Sequence, residues 1–200
     1  MTTPHVQTNP SKLAMQVSRN TIIGNFVLTA FKLAAGILGH SSAMLSDAIH
    51  SASDVFSTLI VMVGIRISGK KADGNHNYGH ERLEAVAAIL LAVVLAATGV
   101  FIGYSGVRSI LAANYGGLQV PGTLALIAAI VSIVVKEGMF WYTRQAADKI
   151  HSAALMADAW HHRSDALSSV GSLVGIAGAQ LGLPILDPIA SLVICLFILN

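Results

Sequence analysis

Charge is what this 200-residue chain has least of: Asp, Glu, Lys and Arg together make up 11% of it, against 54% hydrophobic residues. A soluble domain carries about 25% charged residues, so so low a share excludes an ordinary water-exposed surface. Charge of one sign is also missing. Twelve basic and ten acidic residues leave a formal +2, without the clustered basic face that nucleic acid requires. Cysteine is nearly absent as well: Cys195 stands alone in an apolar run, which excludes a disulfide framework and a thiolate metal cluster. The first twenty residues, with Pro4 and Pro10, have no apolar core or cleavage pattern of a signal peptide. Against these absences, eight histidines in so apolar a chain call for an explanation.

Uncharged runs locate the membrane. Ala85 to Val107, Ser109 to Val135 and Ala166 to Leu186 span 23, 27 and 21 residues, and about 20 cross a hydrocarbon core. A fourth span is expected from Thr21 to Leu38, interrupted by Lys32, a fifth from Ala43 to Ile67, and a short sixth from near Ile185 to Asn200. With the N-terminus in the cytoplasm, Lys12, Arg19, Arg66, Lys70, Lys71, Arg82, Arg144 and Lys149 fall inside and only Arg108 outside. That asymmetry satisfies the positive-inside rule and puts both termini in the cytoplasm. The expected fold is an all-α integral membrane protein of six transmembrane helices with inverted-repeat character, residues 1–18 forming a cytoplasmic segment and residues 19–200 the transport domain. A soluble helical bundle would interrupt such runs with charges.

Two segments of these spans are copies. SDAIHSASDVFS (46–57) and ADAWHHRSDALS (157–168) match at an offset of 111 in six of twelve positions: Asp47/Asp158, Ala48/Ala159, His50/His161, Ser53/Ser164, Asp54/Asp165 and Ser57/Ser168. Each reads D-x-x-H-x-x-x-D, and on a helix these three positions fall within about 60° of one another. In the six-span topology the second and fifth spans run in opposite directions. Face to face, His50, Asp54, His161 and Asp165 would supply two nitrogens and two oxygens, a tetrahedral set for a divalent transition ion. Asp47 and Asp158, one turn away, are placed to orient the imidazoles. A single polar residue in a membrane helix is usually a helix-to-helix hydrogen bond. Six ionisable groups repeated in register would cost several kcal/mol each to bury without an ion or water.

Two weaker patterns accompany the copies. Ser164, Ser168, Gly171, Gly175, Gly178 and Gly182 recur beside the ligand stripe, and tight packing and a sliding face are both open readings of them. Lys136 and Glu137, taken to lie near the cytoplasmic end of the fourth span, read as a local charge pair. The connection KKADGNHNYGHERLE brings Asp73, His76 and His80 together at the cytoplasmic surface, as a second metal cluster or as an ordinary polar loop.

In SDAIHSASD, DGNHNYGHERLEA, ADAWHHRSDALSS and LPILDPIAS the chain resembles the cation diffusion facilitator family of metal efflux transporters, over essentially its whole length. The resemblance implies a homodimer of six-span protomers in the membrane lipid, with no cofactor beyond its cargo, exchanging a divalent metal for protons by alternating access. It places the transport site on His50, Asp54, His161 and Asp165 and a loop site on Asp73, His76 and His80. It also leads one to expect a cytoplasmic metal-binding domain after the sixth span, which is absent from these 200 residues. Histidine binds metal when neutral and carboxylate when ionised, so protons and metal compete for the same atoms. A set of two imidazoles and two carboxylates accepts zinc, cadmium, iron, manganese or cobalt; His at the first position of the second-span motif is associated in that family with zinc, and tetrahedral preference supports zinc over iron and manganese. A passive divalent-cation channel and a membrane metalloenzyme are the rivals. The enzyme lacks both H-E-x-x-H and an open coordination position.

Overall fold

The structure is a computed structural model that describes residues 10–68, 82–113 and 119–199. The described residues form six helices and no strand: α1 (Pro10–Leu38), α2 (Ser42–Ser68), α3 (Arg82–Ala113), α4 (Thr123–Ile150), α5 (Ala153–Gln180) and α6 (Leu186–Leu199). Stretches Lys12–Leu38, Ala92–Leu111 and Thr123–Ile150 are long and apolar enough to cross a bilayer, and α6 holds a shorter apolar stretch, Leu186–Leu196. The chain is an all-α membrane protein. Outward faces carry large apolar side chains such as Phe26, Val27, Val100, Phe101 and Val174, as a lipid-facing surface requires.

Two of the uncharged runs do not coincide with helices. The run from Ser109 to Val135 crosses the end of α3, Pro121 and Gly122, and only the first half of α4. The run from Ala166 to Leu186 begins in the middle of α5 and passes through the turn at Leu181–Ile185. Lack of charge marks what lipid tolerates, whereas helix limits follow from prolines, glycines and capping groups. The helices consequently extend through polar stretches that a charge count excludes, and α5 holds its ligand stripe in its first half.

The duplication reaches beyond the ligand motif into the turns. α1 ends with Ser41 N–H donating to Gly36 O at 3.1 Å and His40 at φ 50°. α4 ends in the same way, Ser152 N–H donating to Ala147 O at 3.0 Å with His151 at φ 51°. This is a helix stop with a left-handed residue, and histidine is among the side chains that tolerate it. In both turns the following serine caps the next helix, Ser41 Oγ accepting from Met44 N–H at 3.0 Å and Ser152 Oγ from Leu155 N–H at 3.3 Å. Helix pairs α1–α2 and α4–α5 are therefore two builds of one hairpin.

The pairs pack through small residues. Ala35, Ala43, Met44, Ala125, Ala128, Ala129, Ile176 and Ala190 form a buried cluster joining α1, α2, α4, α5 and α6. Alanine at such crossings lets helix backbones approach where lipid supplies no hydrophobic drive between helices. α2 packs against α1, α3, α5 and α6, and hydroxyls tie it to two of them: Ser46 Oγ lies 2.7 Å from Ser191 Oγ, and Ser53 Oγ 2.8 Å from Thr98 Oγ1. Asp187, in the first turn of α6, accepts from Ser41 Oγ and Ser42 N–H, each at 2.6 Å. That carboxylate fixes the start of α2, where unpaired amides favour negative charge.

Candidate metal site

The contacts between α2 and α5 run in opposite sequence order. Ser172 Oγ lies 3.5 Å from Ala43 O, Ser169 Oγ donates to Asp47 Oδ2 at 2.9 Å, and Asp54 lies beside Asp165 further along. The two copies are antiparallel and face each other. His50, Asp54 and Asp165 each offer a ligand atom, and these atoms lie within 4.8 Å of one another. One nitrogen and two carboxylates converging from two helices suit a divalent cation. His50 Nδ1 is buried and has no hydrogen-bond partner among the described residues, so the imidazole retains donor capacity at the cluster.

His161 stands slightly apart. Its Nε2 is 3.8 Å from Asp165 Oδ2, nearly repeating the 3.9 Å between His50 Nε2 and Asp54 Oδ2. Yet its side chain is 49% exposed, and it does not join the trio. It lines a cavity of about 360 Å³ together with Thr21, Asn25, Asp54, Asp158 and His162. The cavity also touches Ser152 and Ala154, so it lies at the end of the molecule where α4 turns into α5.

Asp47 and Asp158 do not face the imidazoles expected for them. Asp47 Oδ2 is 2.9 Å from Lys32 Nζ, both side chains being almost fully buried, and Lys32 also donates to Ser51 Oγ and Ser169 Oγ at 3.1 Å. Asp158 Oδ2 is 3.6 Å from Nε2 of His162, not of His161. The adjacent imidazole wins because residues four apart share a helix face while residues three apart diverge slightly. Sequence reasoning passed over His162, which is 1% exposed; the doubled histidine in AWHHRSD was the available signal.

Lys136 requires a larger correction. It lies in the middle of α4, not near its end, because α4 begins at Thr123. Its Nζ is 2.5 Å from Asp165 Oδ2 and 2.7 Å from Asn25 Oδ1. Glu137 pairs instead with Arg163, at 3.9 Å. Successive helical residues point about 100° apart, so Lys136 and Glu137 cannot share a partner easily. Asp73, His76 and His80 lie outside the described residues.

Comparison with known proteins shows the family. The family model described as the cation efflux transmembrane domain matches residues 20–200. The chain belongs to the cation efflux family. It is 35% identical to metal tolerance protein C1 of Arabidopsis thaliana over 96% of this chain and 43% of that one. It is 36% identical to the magnetosome protein MamB of a Magnetospira species, over 84% of this chain and 56% of that one. Identity to the manganese efflux system protein MneS of Bacillus subtilis is 33%, over 89% of this chain and 60% of the relative. The chain thus spans about half the length of these relatives. Residues 20–200 are thus a cation efflux transmembrane domain.

Proposed function

We propose that this domain moves divalent metal out of the cytoplasm in exchange for protons, by alternating access around His50, Asp54, His161 and Asp165. The observation that carries the reading is the convergence of His50, Asp54 and Asp165 within 4.8 Å from antiparallel copies of one motif. The cavity supplies a route to that point, and His161, standing in it, completes the set as the fourth ligand when its ring turns inward. Each His and Asp takes up a proton where it releases metal, which gives exchange of the two cations without any covalent step. The positive-inside charge bias supports placing both termini, and with them the cavity mouth, in the cytoplasm of a bacterial inner membrane. A homodimer is the proposed assembly.

Zinc is the proposed cargo, because two imidazoles and two carboxylates suit a tetrahedral ion, while manganese favours more oxygens and higher coordination. The kinship to a manganese efflux protein makes manganese the second reading. Competitive uptake into vesicles containing the purified protein, with His50 intact and with His50→Asp, decides between them. Zinc should win in the former, and the range should broaden toward iron and manganese in the latter; manganese preference with His50 intact overturns the zinc assignment alone. Asp54→Ala should abolish metal-driven proton movement in sealed vesicles, and transport at the unmodified rate would remove the carboxylate from the site. Metal-driven proton movement also separates exchange from a passive channel. Asp73, His76 and His80 are proposed as a loop site that tunes affinity or dimer contact. Isothermal titration of His76→Ala/His80→Ala should then count fewer ions per protomer.

A further inference from the structure

We infer that Lys136 is a tethered counter-cation that holds Asp165 whenever metal does not, and that metal must displace it from that carboxylate in order to bind. The inference rests on the reading of Asp165 as a metal ligand. Its geometry is direct. Lys136 Nζ sits 2.5 Å from Asp165 Oδ2 and 2.7 Å from Asn25 Oδ1, and the same Oδ2 faces His161 Nε2 at 3.8 Å. An ammonium on this carboxylate neutralises the charge that a divalent ion would bind, and the two cations repel each other in a medium that screens charge poorly.

The position of the lysine within the duplication strengthens the point. Asn25 and Lys136 are separated by 111 residues, the offset that relates the two ligand motifs. They are equivalent residues of the two hairpins, bonded to each other at the approach of the two halves. One half supplies a neutral amide there and the other a cation. Lys136 is 2% exposed, and its two acceptors belong to α5 and α1 while it belongs to α4. Displacing its Nζ from Asp165 therefore loosens a three-helix tie at the moment the metal takes the carboxylate. Cargo binding is linked in this way to the contact between the hairpins, by competition for one carboxylate and not by distance.

The test is equilibrium binding of Zn²⁺ and Mn²⁺ to the purified chain at fixed pH, by isothermal titration, with thermal unfolding measured with and without metal. Lys136→Gln removes the competitor, so metal should bind at least about tenfold more tightly and the rise in melting temperature on adding metal should increase. Lys136→Arg keeps a cation and should return affinity to within about threefold of the unmodified chain. Unchanged or weaker binding in Lys136→Gln, while Asp165→Ala loses binding, overturns this inference and leaves the metal site standing. Undiminished binding in Asp165→Ala overturns the site and the inference together. Should Lys136→Gln fail to fold, Asn25→Ala takes its place: with that acceptor gone the lysine relies on Asp165 alone and has no partner when displaced, so metal affinity must fall by about twofold or more for the inference to survive.

Discussion

At the residue scale, two buried lysine–aspartate pairs have different tasks. Lys32 and Asp47 are almost fully buried among the serine hydroxyls of Ser51 and Ser169. Breaking such a pair leaves an uncompensated charge, which costs about 3–5 kcal/mol, whereas replacing both partners with apolar groups is often neutral. Lys32→Met should therefore lower thermal stability in detergent markedly, and Lys32→Met/Asp47→Leu should recover most of the loss. A double variant as unstable as the single one would assign Asp47 a role independent of Lys32. Lys136 and Asp165 obey the same electrostatics with one difference, since Asp165 lies within 4.8 Å of two further ligand groups. Asp165→Ala strands a buried ammonium, so it should destabilise the chain by about 3–5 kcal/mol. Calorimetry of Asp165→Ala beside the unmodified chain reads that loss directly, and an equal melting temperature would show that Lys136 does not depend on this carboxylate.

At the scale of elements, the small residues of α5 divide between two partners. Ser169 and Ser172 face α2 through Asp47 and Ala43. Gly175 and Gly178 face α6, where an added Cβ would run into Ala190 and Leu186 respectively. Gly171 has nothing within 4 Å of an added Cβ. Gly175→Val should push α6 away and cost about 1–3 kcal/mol, as overpacking does, while Gly171→Ala should be tolerated. Thermal unfolding of the two variants checks the pair, and equal losses would show that the α5–α6 approach does not depend on Gly175. These contacts support tight packing at Gly175 and Gly178. Gly182 belongs to neither face, since it lies in the α5–α6 turn at φ +102°.

At the scale of the whole molecule, the two hairpins are alike in chain path and unlike in what surrounds their first aspartates. Asp47 lies under the Lys32, Ser51 and Ser169 layer, and its counterpart Asp158 lines the open cavity with His162. Position 143, the counterpart of Lys32, holds a threonine, so the second hairpin has no cation to close over its aspartate. Among the described residues, the cavity beside the site opens at the end where α4 turns into α5. With Cys195 replaced by Ser, Val55→Cys, on the cavity wall, should react with a water-soluble thiol reagent in membranes. Ser172→Cys, buried beyond the lysine layer, should not. Equal labelling of both would mean that the path is open throughout.

Six helices, the antiparallel relation of the copied motifs and the juxtaposition of His50, Asp54 and Asp165 were legible from residue order alone, because lipid forbids unpaired charge and a duplicated D-x-x-H-x-x-x-D repeats its helical face wherever it occurs. Helix limits were less legible, since the uncharged run across Pro121 and Gly122 looks continuous when only charge is counted. What tertiary structure alone decided is which carboxylate meets which cation. Lys136 could have paired with its neighbour Glu137, and Asp47 with an imidazole. Packing α4 and α1 against α5 and α2 instead carried each lysine across a helix interface to a partner far away in the chain. Charge pairing in a medium without water is settled by which groups are buried together, and that depends on the packing of helices and not on separation along the sequence.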